Sequence, residues 1–181
     1  LVKKLLDETD SYRYKRSQLI IIFSTFLVDQ NEWGNASQKD NLAFVAFFHD
    51  ILLNQELLQK IDSDEELSKS DLSNNDKELV RKHASMTSSY IRKMGKAPIG
   101  VDVIIEQHHG VQGGAGFSRN ATNLSHLSKL FMIVERLVVL ILEKHEIGEV
   151  INKKDILKQL KEDYNKKTLQ KIISCFDELS F

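Results

Sequence analysis

Imidazoles and carboxylates recur in this chain at positions where helical spacing sets them among apolar side chains. In NLAFVAFFHDILL, His49 stands one turn from Val45 and Leu53, and Asp50 shares a helical face with Ala46, Phe47 and Leu53. His83 lies over Leu79 and under Met86 and Thr87, while His108 and His109 close the run PIGVDVIIEQHH behind Ile104 and Ile105. Glu135 interrupts LFMIVERLVVLIL, with Phe131 before it and Val138, Val139 and Leu142 after it. A carboxylate in such surroundings is costly unless it is paired, hydrogen-bonded or bound to metal.

Each of these residues has a plain reading when taken alone. His49 or His83 fits a core histidine satisfied by the backbone, and His108–His109 fits a polar helix end. Asp50 can pair with a lysine or arginine, and Glu135 with its neighbour Arg136 or another base. Their joint occurrence on four separate segments points to a shared centre. Mixed imidazole and carboxylate donors suit zinc, iron or manganese, and several of them can hold two ions with a bridging water. Asp50 is the natural bridge, because its two oxygens can reach two ions while His49 binds one.

Helices must position these groups. The single proline and the long stretches with helical periodicity predict an all-α chain of about seven helices with little or no β structure. The first is expected from about Ser11 to Val28 and the second from about Asp40 to Leu58. The acidic, serine-rich stretch from Asp62 to Asn75 reads as a loop with a short helical turn. Ser73 or Asn75 then caps KELVRKHASMTSSYIRKM, Pro98 starts the helix through His109, and Asn123 or Ser125 starts the long helix through HLSKLFMIVERLVVLILEKH. Two shorter helices, about Lys154–Tyr164 and Lys167–Leu179, complete the expected bundle. Short connections favour one compact domain over residues 1–181.

Composition narrows the remaining classes. A chain of 181 residues with 41% hydrophobic and 28% charged residues is long enough for one domain core and rather short for two. The net charge of -1 gives no global attraction to DNA. The apolar run LIIIFSTFLV is too short to cross a bilayer, so neither DNA binding nor membrane insertion is expected. One cysteine, Cys175, excludes a disulfide framework within the chain, and a cytoplasmic setting is the expectation. The chain opens at Leu1 without methionine, which suggests a piece excised from a longer multidomain protein.

With those residues in order, the chain resembles the HD superfamily of metal-dependent phosphohydrolases. The carriers are His49–Asp50, His83, His108–His109 and the acid Glu135. More narrowly, HHGVQGGAGF resembles the second signature of the HD-GYP family, and the likeness runs from about residue 9 to residue 178. The resemblance implies an all-helical HD-type bundle with a binuclear or trinuclear iron or manganese centre that hydrolyses cyclic di-GMP. Zinc or a partly filled site is the alternative. It assigns His49, Asp50, His83, His108, His109 and Glu135 as metal ligands, with Asp50 also orienting the nucleophile. Glu135 stands where the family uses aspartate.

The departures concern the active centre. The family's first-helix histidine has no counterpart among Tyr12, Arg13, Tyr14, Lys15, Arg16, Ser17 and Gln18, and its Gly-Lys after the name-giving pair is Leu52–Leu53. Gly110 replaces an acid, Gly113–Gly114 replaces an aspartate–glycine turn, and Gly116–Phe117–Ser118 replaces Gly-Tyr-Pro. Glycines in this loop supply left-handed turns and close helix approach. The functional reading makes the loop a rim over the cleft, with Gly114, Gly116, Phe117 and Arg119 facing a nucleotide phosphate or base. Lys82, Lys129 and Arg136 are further candidate phosphate partners. Two functions follow: a cyclic dinucleotide phosphodiesterase or broader phosphohydrolase, and an inactive signalling domain that binds a nucleotide, a regulatory domain or a partner protein. A purely structural helical module is the third.

Overall fold

The longest apolar run of the sequence becomes the central helix of the fold. The computed structural model of the chain describes residues 1–7, 11–30, 34–110 and 115–179. Among the described residues there are ten α-helices, followed by a 3-10 turn at Cys175–Glu178, and no strand. In chain order they are α1 Val2–Asp7, α2 Tyr12–Asp29, α3 Ala36–Phe48, α4 Glu56–Gln59, α5 Asp64–Lys69, α6 Asn74–Lys93, α7 Val101–Gln107, α8 His126–Glu146, α9 Lys153–Asp163 and α10 Lys167–Ser174.

Every residue of α8 from Leu130 to Leu142 is buried, the charged Glu135 and Arg136 included. Helix α2 packs against α3 and α8, α7 packs against α3, α6 and α8, and α9 and α10 cover the far side of α8. One apolar cluster accordingly runs from Val2 to Phe176. A smaller cluster of Leu53, Leu58, Leu67, Val80 and Phe117 sits beneath α4, α5 and the loop after α7.

The chain ends its helices where its polar residues offer caps. The side chains of Ser11, Ser63, Ser73, Ser125 and Asn152 each accept a backbone N–H in the first turn of the helix that follows. Asn35 and Gln38 form a reciprocal capping box at the start of α3. Each such cap contributes about 1 kcal/mol.

Three differences from the sequence-based expectation matter for the site. The expected second helix through Leu58 stops at Phe48, and the chain turns through His49–Asp50, with Ile51 N–H donating to Phe48 O and Leu53 N–H to Asp50 O. The apolar character continues beyond that end because Leu53 and Leu58 enter the smaller cluster. Helices α1 and α4 are additional short elements and the helical turn expected between Asp62 and Asn75 is a helix of its own, α5, which raises the count from seven to ten. Pro98 lies before α7, in a turn completed by Gly100 at a φ of 85°, and not in the first helical turn.

Among the described residues no helix is long and apolar enough to cross a membrane.

Candidate metal centre

The site is built where α3 ends, α6 and α7 run side by side, and α8 passes beneath them. His49 and Asp50 follow α3, His83 lies on α6, His108 and His109 follow α7, and Glu135 lies on α8. All six are buried, with exposures of 0 to 7%. They form two groups, His83–His108–His109 and His49–Asp50–Glu135, each with ligand atoms within 4.8 Å of one another.

Backbone contacts fix the state of three rings. His49 Nδ1 lies 3.0 Å from Val45 O, His83 Nδ1 2.5 Å from Val80 O, and His108 Nδ1 2.5 Å from Ile105 O. A carbonyl oxygen only accepts, so each Nδ1 carries the hydrogen and each neutral ring keeps a lone pair on Nε2. This is the arrangement by which ligating histidines are commonly oriented.

The consequence is sharpest between His83 and His108, whose Nε2 atoms are 3.1 Å apart. Two lone pairs at that distance repel, and the pair needs a positive charge between them: an extra proton on one ring, or a metal ion. Nitrogens about 2.0–2.1 Å from a shared ion lie about 2.9 Å apart at a right angle and about 3.3 Å apart at the tetrahedral angle. The observed spacing falls between these values. Asp50 Oδ1 points to the same place, 3.2 Å from His83 Nε2 and 3.8 Å from His108 Nε2, and it makes no hydrogen bond among the described residues. His109 completes the group, its Nδ1 3.8 Å from Glu135 Oε2 and its ring 4.0 Å from that of His108.

The second group holds a residue that sequence reasoning missed. Arg16 reaches in from α2 and donates to Asp50 Oδ2 with one guanidinium nitrogen and to Glu135 Oε1 with the other, the latter at 2.5 Å. Its exposure is 4%, and it also approaches Gln59 O at 3.3 Å. The sequence carried a signal, because Arg16 lies on the same helical stripe as Tyr12, Leu19, Ile20, Phe23 and Leu27, all of them buried. A cation on a core-facing stripe requires a buried anion. Glu135 therefore pairs with Arg16 and not with its neighbour Arg136. Arg136 turns to Asp62 at 2.6 Å and Asp163 at 2.7 Å.

The charges adjust accordingly. Burial tends to raise the Asp50 pKa, but the Arg16 guanidinium beside it leads the opposing charges that hold the carboxyl well below the usual carboxylate range. Burial and the adjacent Asp50 charge push Glu135 up against the opposing pull of Arg16. Burial lowers His49 to about 4, with Arg16 adding to the effect and Asp50 opposing it. Burial and neighbouring imidazoles lower His108 and His109 well below the usual value. Neutral imidazoles are the ligating form.

The described residues of the glycine-rich loop take separate partners, and Phe117 among them touches this centre. Gly114 lies outside the described residues. The Phe117 ring is buried against His109, with centroids 4.5 Å apart, and belongs to the smaller apolar cluster. Gly116 adopts a φ of 67° and donates its N–H to Arg81 O. Arg119 bonds the Asp62 carboxylate at 2.8 Å and also lies 3.7 Å from Asp163. Gly110 sets the departure of the chain after His109. Its φ is 104°, and a Cβ there would come within 2.6 Å of Ser118 Oγ and 2.7 Å of Asn120 N. Of the other candidate phosphate partners, Lys82 pairs with Glu78 and Lys129 borders a surface groove beside His126.

The fold and these donors define an all-α domain with two His/Asp/Glu clusters able to coordinate metal, consistent with a broad superfamily of metal-binding helical domains. The chain matches no family model, no curated protein and no solved structure.

Proposed function

We propose that this chain is a metal-dependent phosphohydrolase domain, with a cyclic dinucleotide phosphodiester as its leading substrate class. The observation that carries the metal reading is the convergence of His83 and His108 Nε2 lone pairs with the unpartnered Asp50 Oδ1. Phosphoester hydrolysis, and cyclic di-GMP in particular, rests on the resemblance of His49–Asp50, His83, His108–His109 and the following glycine-rich loop to the HD-GYP pattern.

A bound divalent iron, manganese or zinc ion supplies Lewis acidity and a water acidified toward neutrality. His83, His108 and His109 would hold it through their ring nitrogens, oriented in two cases by a backbone carbonyl. Asp50 is the proposed catalytic residue, orienting the nucleophile beside the ion through Oδ1, which makes no hydrogen bond among the described residues. Glu135 and His49 complete the surrounding donor set. Gly114, Gly116, Phe117 and Arg119 are the proposed nucleotide-facing residues of the loop.

A second reading is favoured by Arg16, whose bridge between Asp50 and Glu135 occupies one oxygen of each of these two donors of the centre. On that reading the chain is an inactive signalling domain that binds a nucleotide, a regulatory domain or a partner protein. Protein purified without chelator and supplied with iron or manganese separates the two. Hydrolysis of bis(p-nitrophenyl) phosphate and of cyclic di-GMP, abolished in Asp50→Asn, supports the enzyme. Nucleotide binding without turnover supports the signalling domain, and metal binding with neither removes both.

A further inference from the structure

We infer that Arg16 is a built-in cation standing in for one metal ion, so that the chain holds a single divalent ion on the His83–His108–His109 side of Asp50. This rests on the metal reading above and adds the number of ions to it.

The two donor groups are not equivalent. In the His49–Asp50–Glu135 group, the oxygens nearest His49 Nε2 are Asp50 Oδ2 at 3.4 Å and Glu135 Oε1 at 3.6 Å. Both already accept from the Arg16 guanidinium. An ion bridging those two oxygens and His49 needs the space and the lone pairs that Arg16 has taken, and it would face a second cation across a few ångströms of buried protein.

The His83–His108–His109 group has the opposite character. No arginine or lysine contacts its nitrogens among the described residues, two of its lone pairs oppose each other at 3.1 Å, and Asp50 Oδ1 faces it unpartnered. Asp50 thus divides its two oxygens, Oδ2 to the guanidinium and Oδ1 to the ion. His49 Nε2 and Arg16 Nε make no hydrogen bond among the described residues, and both residues line a cavity of about 10 Å³, close to the room that one water needs.

The test is the number of ions per chain, read by elemental analysis and native mass spectrometry after reconstitution with Mn(II) or Zn(II). The wild type and Arg16→Lys, which keeps a cation, should bind one ion; Arg16→His, which exchanges the cation for a ligand, should bind two. Electron paramagnetic resonance of the Mn(II)-loaded wild type should give the spectrum of an isolated ion, a readout that needs no variant to fold. Two ions or a spin-coupled pair in the wild type overturns the inference and leaves the metal-dependent function standing. One ion in a folded Arg16→His also overturns it. No ion in any of these proteins removes the metal reading itself.

Discussion

Replacing His108 by glutamine should erase most of the stabilisation that a divalent ion gives this chain. His108 has 0% exposure, holds its Nδ1–H on Ile105 O and turns Nε2 toward His83 and Asp50. Because its donors are already gathered in the folded chain and are dispersed in the unfolded one, an ion at a hundredfold excess over its Kd stabilises the native state by about 2.7 kcal/mol. For a chain of 181 residues, each kcal/mol moves Tm by about 2–4 °C, so the wild type should gain about 5–10 °C. Loss of one of three imidazoles should weaken binding about a hundredfold or more, which leaves about 0.4 kcal/mol and about 1 °C at the same ion concentration. The assay is calorimetric melting of each protein in chelator and in Mn(II) or Zn(II). Taking the difference within each protein cancels the cost of altered packing at residue 108. His145→Gln, a partly exposed histidine beside Asp7, is the control and should keep the full shift. An equal metal-induced shift in His108→Gln and the wild type would refute the assignment of the three imidazoles as the ion's donors.

Three further outcomes follow from the same geometry. Burial holds His49 at about 4 in the folded chain against 6.5 when unfolded, so the unfolded chain takes the proton first. Below about pH 6.5 the metal-free wild type should therefore lose about 1.4 kcal/mol per pH unit more than His49→Asn, down to about pH 4. Urea titrations across that range check it, and parallel pH dependences refute a buried neutral imidazole. Asp62→Ala leaves Arg119 and the nearly buried Arg136 without their shared carboxylate, while Arg136 keeps Asp163. Unfolding free energy should fall by about 3 kcal/mol, and a loss below about 1 kcal/mol would show that the pairs contribute little. Gly110→Ala forces a side chain into a φ of 104° against Ser118 and Asn120. It should lower Tm by several degrees, the equivalent of about 1–3 kcal/mol, and reduce the metal-induced shift through the adjacent His109. An unchanged Tm and shift would contradict that constraint.

The periodic parts of the fold were legible in the sequence. Helices α2, α6, α8 and α9 follow apolar stripes that the spacing makes plain, and Ser73 and Ser125 cap α6 and α8 as candidate caps should. Short elements were legible only as the helical turn expected between Asp62 and Asn75, where α5 lies. Helix α4 has four residues and α5 six, too few for a period to register, and the latter lies in a serine-rich acidic stretch that reads equally well as loop. The end of α3 was obscured because Ile51, Leu52 and Leu53 continue the apolar run after the backbone has turned, with Leu53 entering another cluster.

For the site, a carboxylate within FFHDILL and another within LFMIVERLVVLIL marked positions that needed a compensating charge, and both are buried there. The identity of that charge was harder to read. Arg16 stands among Arg13, Lys15 and other polar residues at the start of α2, where a cation ordinarily faces water. Only its register with Tyr12, Leu19, Ile20 and Phe23 distinguishes it. Such registers settle which face a residue occupies, but not which of two carboxylates it bridges, because that depends on how α2 crosses α3 and α8.

The most direct measurement is anomalous scattering at a metal absorption edge from crystals of protein prepared without chelator and supplied with Mn(II) or Zn(II). A single peak about 2.0–2.3 Å from His83 Nε2 and His108 Nε2, with the Arg16 guanidinium still between Asp50 and Glu135, is the predicted result. Ordered density in which no ion lies between those two imidazoles, and a proton or water alone reconciles them, would contradict it.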